Sequence, residues 1–232
     1  MTEVAPRTSS EQSHDSKPDN YYQNVRAEMI PFVPAAARTI LDVGCGEGLF
    51  GARLKDQPGR LIWGVESDGR AAEEARSRLD RVVVGDVVSL LPNLPVGFFD
   101  AVIFNDILEH LIDPFGLLAR TKRHLRPGGV VVSSIPNIRF YPTLVNLVVR
   151  RRWEYEESGI LDLTHLRFFT SASIRAMYGR LGYEVLRHEG INPMTRMPWA
   201  YYVANLAMLG RLTDTRFVQF ATVARPRSND SA

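Results

Sequence analysis

The sequence predicts an α/β fold, in which helices cover both faces of a mainly parallel β-sheet. Two observations lead to this prediction. Short apolar runs alternate with stretches of helical periodicity, as expected for strands buried on both faces of a parallel sheet. Acids that follow three of these runs, Glu66, Asp86 and Asp106, are about twenty residues apart, which suits one strand–helix unit.

The first unit predicts a cofactor site. An apolar run containing Asp42 ends at Val43, and Gly44, Gly46 and Gly48 then alternate before a helical pattern begins. Glycines allow a tight turn and a close approach of the backbone to a ligand. The N–H groups at a helix start favour a phosphate or a carboxylate. In parallel sheets ligands bind beyond the carboxyl ends of the strands, so a nucleotide-like cofactor is expected there.

The other elements follow from the same periodicities and from capping residues. Asp113 before Pro114 begins a helix, and Gly182 ends the last one. Strands are predicted at 38–43, 60–65, 81–84, 99–104, 129–135, 183–189 and 217–224. Helices are predicted at 21–30, 49–55, 69–79, 114–124 and 171–181.

Composition predicts one cytoplasmic domain at 20–225, with insertions at about 136–169 and 190–214. Residues 1–19 and 226–232 are polar and are expected to be disordered tails without the apolar core of a signal peptide. Cys45 is the one cysteine, which fits a reducing compartment, and it is interpreted as a small residue filling the turn. With 28 basic and 26 acidic side chains, the charge balance argues against nucleic acid as a partner.

Five ordered motifs resemble those of the class I S-adenosylmethionine (SAM) methyltransferases. They are Leu41-Asp42-Val43-Gly44-Cys45-Gly46-Glu47-Gly48, Gly64-Val65-Glu66-Ser67, Gly85-Asp86-Val87, Asn105-Asp106-Ile107-Leu108-Glu109-His110 and Leu125-Arg126-Pro127-Gly128-Gly129. The resemblance implies SAM as cofactor and a seven-stranded Rossmann-like sheet, with the last strand antiparallel between the fifth and sixth and a helical lid insertion. Gly46 to Gly51 also matches a dinucleotide fingerprint, but Gly44 and the acid Asp42 then lie out of register.

The resemblance also implies roles for individual residues. Asp42 would hold the methionine amino group, Glu66 would accept from both ribose hydroxyls, and Asp86 would accept from the adenine amine. The remaining cofactor contacts fall on the glycine loop, on the residues beside these acids, and on the end of the fourth strand, namely Gly44, Cys45, Gly46, Ser67, Val87 and Asn105.

The segment from Gly159 to Thr170 resembles one found in bacterial methyltransferases of sugar and polysaccharide biosynthesis, with Leu163 in place of an arginine. An alcohol acceptor needs a general base, and histidine titrates near neutrality. His165 is therefore the first candidate base, with His110 and Asp106 as alternatives.

A metal requirement is not expected. Asp106, Glu109 and His110 do resemble a segment of ubiquinone-biosynthesis O-methyltransferases that can hold a divalent cation, and their i, i+3, i+4 spacing places them on one side of a helical turn. The same pattern also occurs in related methyltransferases that use no metal.

The insertions leave several interpretations open. Arg150, Arg151 and Arg152 before Trp153 could be the solvated face of a lid helix, an anion site for a phosphate or nucleotide-sugar, or a contact with an anionic membrane. The apolar segment 201–209 could line the acceptor pocket, cover the first insertion or form a homodimer contact.

The sequence therefore predicts a SAM-dependent O-methyltransferase acting on a hydroxyl of a sugar or of a glycolipid or polysaccharide precursor. A quinone or another phenolic small molecule is the alternative acceptor. A non-catalytic SAM-binding partner subunit is the second alternative. Asn105-Asp106 follows the fourth strand where base methyltransferases carry an Asn-Pro-Pro-Tyr motif, which further disfavours nucleic acid.

Overall fold

The computed structural model describes residues 25–227, which form one seven-stranded mixed sheet. The strands are β1 (Thr39–Val43), β2 (Leu61–Glu66), β3 (Arg81–Val84), β4 (Phe99–Asn105), β5 (Leu125–Pro136), β6 (Tyr183–Pro193) and β7 (Phe217–Pro226). Their order across the sheet is β3-β2-β1-β4-β5-β7-β6. The predicted fold class is confirmed.

Strand direction also agrees with the expectation drawn from the resemblance. β1 pairs in parallel with β2 and β4, and the parallel arrangement continues from β2 to β3 and from β4 to β5. β7 lies between β5 and β6 and is antiparallel to both. The carboxyl ends of β1 to β6 therefore share one edge of the sheet.

Seven α-helices are described within residues 25–227. They are α1 (Leu49–Leu54), α2 (Gly69–Arg76), α3 (Val87–Leu90), α4 (Pro114–Thr121), α5 (Tyr141–Leu144), α6 (Ser171–Arg180) and α7 (Trp199–Ala207). A π-helical segment, Val145–Val149, continues α5. Short 3₁₀ segments occupy Ala27–Phe32, Leu91–Asn93, Leu108–His110, Lys122–His124 and Thr213–Arg216.

The first predicted helix is wrong over its described part. Residues 21–24 lie outside the described range, and the chain that follows forms the 3₁₀ segment Ala27–Phe32. This segment contains Pro31, whose ring nitrogen cannot donate the hydrogen bond that an α-helix requires. The predicted tail at 226–232 also begins too early, because β7 extends to Pro226, and residues 228–232 lie outside the description.

Two apolar clusters pack on opposite faces of the sheet. Along β4, Val102 and Phe104 belong to one cluster, and Ala101 and Ile103 belong to the other, as the two-residue period of a strand requires. The first cluster includes side chains of α3, α4 and α6. The second includes side chains of α1, α2 and the first 3₁₀ segment. The sheet is therefore packed on both faces, and its carboxyl edge lies between the two helical layers.

Candidate functional site

The loop from β1 to α1 passes over the carboxyl edge with positive φ angles at its glycines. Gly44, Gly46 and Gly48 have φ of 70°, 53° and 79°. The Gly44 N–H donates to the Val65 carbonyl at 2.7 Å, which ties the loop to β2. A Cβ on Gly44 would lie 2.1 Å from Cδ1 of Ile107, so a larger residue would have to displace that side chain. Gly44 therefore lets the loop pack directly against Ile107.

Asp42 and Glu66 lie beneath this loop, and both are buried. Glu66 Oε2 accepts from the Gly46 N–H at 2.8 Å, while Oε1 accepts from the N–H groups of Ser67 at 2.7 Å and Asp68 at 2.9 Å. A carboxylate has about four acceptor positions, so Oε2 can still accept from a ligand hydroxyl. Within the described residues, Asp42 Oδ2 has no hydrogen-bond partner.

The burial of these acids changes their electrostatics. Burial, with a smaller contribution from the nearby Glu66 carboxylate, raises the pKa of Asp42 to about 7. A cationic ligand group beside Asp42 would favour its ionised form. Burial, together with both acids, also raises the pKa of the Cys45 thiol well above its usual range. A Cβ on Gly64 would lie 2.5 Å from Cys45 Sγ, which supports the interpretation that Cys45 fills the turn.

Asp86 and Val87 begin the short helix α3 at the end of β3. Asp86 is exposed, and its Oδ2 accepts from the N–H and the hydroxyl of Ser89, both at 3.1 Å. Asp86 is therefore the N-cap residue of α3. As the first residue of that helix, Val87 has an N–H without an intrahelical acceptor. The pair offers one acceptor and one donor at this end of the edge.

Asn105 ends β4, and its side-chain amide is buried. Within the described residues, neither Nδ2 nor Oδ1 has a hydrogen-bond partner. Buried polar atoms are nearly always paired, so the atoms of Asn105 and the Asp42 Oδ2 indicate a polar ligand. A glycine-lined edge with a buried acid on either side of the loop fits the methionine and ribose groups of SAM.

Asp106 is held by a network that the sequence did not predict. Its carboxylate forms an ion pair with Arg26 and accepts hydrogen bonds from Ser134 Oγ at 3.0 Å and Gln219 Nε2 at 2.8 Å. Arg26 also reaches Ser134 Oγ at 3.0 Å. This network commits the Asp106 carboxylate to protein partners, so Asp106 is a weak candidate for a base or a metal ligand.

The metal-ligating atoms that come together differ from the set considered from the sequence. Among residues 25–227, one cluster could hold a metal ion. It comprises Glu109, His110 and His165, with ligand atoms all within 4.8 Å of one another. His165 takes the place of Asp106 because residues 166 and 167 each donate a backbone N–H to the Glu109 carbonyl, at 2.9 Å and 3.0 Å. The first insertion is thereby fastened to the loop after β4.

The hydrogen bonds of His165 fix its tautomer. Its Nδ1 lies 2.9 Å from the Ile160 carbonyl, which only accepts, so Nδ1 carries the proton. Nε2 is then the basic nitrogen, and it lies 4.0 Å from Glu109 Oε1. Both residues are buried. His165 therefore presents Nε2, a hydrogen-bond acceptor, next to a buried carboxylate.

His110 is oriented in the same way by Thr164. Its Nδ1 lies 3.2 Å from the Thr164 carbonyl and 2.9 Å from Thr164 Oγ1, while that hydroxyl donates to Asp162 Oδ1 at 2.6 Å. Burial alone would raise the pKa of Asp162, but the hydrogen bonds from Thr164 and the nearby histidines hold it below its usual range. The rings of His110 and His165 are 4.7 Å apart.

A groove of about 600 Å³ lies between the two insertions. Tyr141 of α5 contributes to one wall, and Met194 after β6 contributes to the other. Arg150 and Arg196 also line it. The groove thus combines apolar walls with two arginines, which suits a ligand that carries an anionic group.

The chain is similar to known methyltransferases. A family model described as a methyltransferase domain matches residues 14–188. A probable SAM-dependent methyltransferase of Mycobacterium tuberculosis is 31% identical over 175 residues, which cover 70% of this chain and 63% of that protein. The chain thus spans less than two thirds of that relative's length.

The chain is also similar to a second relative in sequence and to a solved structure in fold. A ubiquinone biosynthesis O-methyltransferase of Thiobacillus denitrificans is 29% identical over 177 residues, covering 71% of this chain and 73% of that protein. The crystal structure of a SAM-dependent methyltransferase from Archaeoglobus fulgidus has a TM-score of 0.64 at 21% identity, covering 88% of this chain and 93% of that one. This last likeness concerns the fold alone.

Proposed function

The chain belongs to the class I SAM-dependent methyltransferases, and we propose that it transfers the methyl group of SAM to a hydroxyl oxygen of a sugar or glycolipid precursor. The observation that supports this proposal is the His165–Glu109 pair, a buried imidazole beside a buried carboxylate next to the loop that follows β4. A quinone or another phenol is the alternative acceptor, favoured by the likeness to the ubiquinone enzyme.

SAM, when bound, supplies an electrophilic methyl group on a sulfonium. Residues at the carboxyl edge of the sheet would bind the amino group, the ribose and the adenine of SAM. Asp42 would accept from the amino group, Glu66 from the two ribose hydroxyls, and Asp86 from the adenine amine, beside the donating N–H of Val87. The orphaned amide of Asn105 would meet the methionine end. Each contact satisfies a donor or acceptor that the sheet edge provides.

When bound, SAM would supply its methyl group to the acceptor oxygen and leave as S-adenosylhomocysteine. Nε2 of His165 would accept the proton that the acceptor hydroxyl gives up. The Ile160 carbonyl keeps the Nδ1 proton in place, and Glu109 balances the imidazolium charge. Because Glu109 is buried, its effect on that charge is larger than it would be in water.

The proposal for a sugar or glycolipid precursor draws on two features of the insertions. The segment Gly159–Thr170 resembles that of sugar and polysaccharide methyltransferases and contains His165. The groove between the insertions presents Arg150 and Arg196, and guanidinium groups match phosphate oxygens. A sugar carried on a phosphate or diphosphate combines a hydroxyl acceptor with such an anionic group.

The test begins with an acceptor found by thermal-shift screening against nucleotide-sugars, glycolipids and phenols with S-adenosylhomocysteine present. His165→Ala should then lower turnover about 10²–10⁴-fold, the usual contribution of a general base. Turnover of the variant should recover partly as pH rises, because the acceptor hydroxyl ionises more readily. Affinity for S-adenosylhomocysteine, measured by calorimetry, should stay nearly unchanged.

His110→Ala is the matched control, because it removes the neighbouring imidazole. If His110→Ala abolishes turnover and His165→Ala does not, His110 is the base. Absence of any methyl transfer across the screen, with S-adenosylhomocysteine bound, would instead favour the non-catalytic partner subunit.

A further inference from the structure

An apolar surface on the two insertions faces solvent. In α7, Trp199, Tyr202, Val203 and Leu206 lie at i, i+3, i+4 and i+7, which is one face of a helix. That face points outward, with Trp199 78% exposed and Leu206 79% exposed. Tyr201 is instead buried and anchors the helix. The helix therefore presents its apolar stripe to the surroundings.

The π-helical segment of the first insertion extends this surface. Val148 and Val149 are exposed. Tyr141, at the start of the same helical unit, contacts Tyr201 of α7 with ring centroids 5.7 Å apart. We call the following exposed side chains of the π-helical segment, of α7 and of the turn after α7 the insertion face: Leu147, Val148, Val149, Trp199, Tyr202, Val203, Leu206 and Leu209. Large exposed apolar patches mark contact sites for proteins or membranes.

Arginines predominate among the charged residues of the two segments that carry the insertion face. Residues 137–153 and 194–213 contain six arginines and no acid. Arg139 is neutralised by Asp214, but Arg150, Arg151 and Arg152 are exposed at the end of the π-helical segment. The whole chain has nearly equal numbers of basic and acidic groups, so the rest of it is acidic overall. Three glutamates at 154, 156 and 157 limit the basic region on one side.

We propose that the insertion face docks on the surface of an anionic lipid bilayer. Indole and phenol rings such as those of Trp199 and Tyr202 prefer the headgroup region, and the aliphatic side chains enter the acyl boundary. The arginines meet lipid phosphates. Among residues 25–227 no helix is both long and apolar enough to cross a bilayer, so this contact is peripheral. The proposal does not depend on the identity of the methyl acceptor.

A second copy of the chain fits this face less well. An isologous dimer places the same patch of each copy against the other. The arginine run of one copy would then approach the basic surroundings of the same face in its partner, and like charges repel. An anionic bilayer neutralises these arginines and covers the apolar side chains together.

Flotation of the full-length protein with lipid vesicles tests the proposal. The protein should float with vesicles of phosphatidylcholine and phosphatidylglycerol, less with phosphatidylcholine alone, and less again as salt rises. Replacing Arg150, Arg151 and Arg152 by Gln should lower partitioning about a hundredfold. Leu206→Ser should lower it about tenfold. Two matched controls, the exposed arginines Arg53, Arg70 and Arg76 replaced by Gln, and Val96→Ser, should float like wild type.

Two results would overturn the proposal. One is the absence of flotation with the anionic vesicles at low salt. The other is a dimer, measured by light scattering, that Leu206→Ser converts to a monomer while vesicle binding stays the same. Circular dichroism of each variant confirms that any loss of flotation does not reflect unfolding.

Discussion

Replacing Asp42 by Asn should stabilise the cofactor-free protein above neutral pH. Asn keeps the shape of the side chain and removes its charge. In the folded protein, burial and the Glu66 carboxylate raise the pKa of Asp42 to about 7. In the unfolded chain an Asp has a pKa of about 4. The folded state therefore holds this proton more tightly than the unfolded state does.

The sign of the pH effect follows from that difference. The unfolded chain releases the proton first, so the free energy of unfolding contributed by Asp42 falls as pH rises from about 4 to 7 and then levels off. The pKa of Asp42 differs by about three units between the two states, and each unit corresponds to about 1.4 kcal/mol. The loss of stability therefore has an upper limit of about 4 kcal/mol. We expect Asp42→Asn to match wild type near pH 4 and to exceed it by about 2–4 kcal/mol at pH 8.

Urea unfolding of wild type and Asp42→Asn across this pH range measures the difference directly. Other titrating groups are common to both proteins, so their contributions largely cancel. A difference that stays constant from pH 4 to pH 8, or a variant that is less stable at pH 8, would refute this electrostatic account.

The same residue should link cofactor binding to proton release. The cationic amino group of the ligand favours ionised Asp42, so binding below pH 7 should expel a proton. Calorimetry of S-adenosylhomocysteine at pH 6, in buffers of different ionisation enthalpy, should show proton release by wild type and little by Asp42→Asn. The variant should also bind more weakly, because it has lost the charged acceptor. Equal proton release by both proteins would show that the amino group lies elsewhere.

Three further predictions concern the site. Glu66→Ala should weaken S-adenosylhomocysteine binding by about 1.5–3 kcal/mol, measured by calorimetry, whereas the exposed Glu73→Ala should not. Gly44→Ala should lower the free energy of unfolding, measured in urea, by about 1–3 kcal/mol. The new Cβ would meet Ile107, and φ at this position is positive. An unchanged free energy would mean that the loop shifts to accept the methyl group. A chelator should leave turnover unchanged, because the proposed mechanism uses His165 Nε2 as a base and not as a metal ligand; loss that Mg²⁺ restores would assign the cluster of Glu109, His110 and His165 to a cation.

The cofactor edge could be predicted from sequence because its signals are local. Each strand is a short apolar run, and Asp42, Glu66 and Asp86 lie within, end or follow such runs, each within a few residues of a glycine. Parallel pairing then brings these residues to one edge without any further information. Their positions in the sequence are therefore enough to predict that they lie close together in the fold.

The proposed acceptor side of the site depends on contacts between segments that are distant in sequence. Arg26 and Asp106 form an ion pair although they are eighty positions apart in the sequence, and no periodic pattern predicts that pairing. His165 meets Glu109 because backbone N–H groups of the insertion donate to the carbonyl of Glu109, which side-chain identity does not reveal. For α7 the sequence predicts only an apolar helical segment, since periodicity alone does not say which face of the helix other elements cover.

A crystal structure of the protein with S-adenosylhomocysteine tests the central claim most directly. We predict that both ribose hydroxyls donate to Glu66, that the amino group contacts Asp42, and that Nε2 of His165 faces the methyl side of the sulfur across the space for an acceptor. A ligand bound away from the glycine loop, or His165 turned away from the sulfur with His110 in its place, would contradict it.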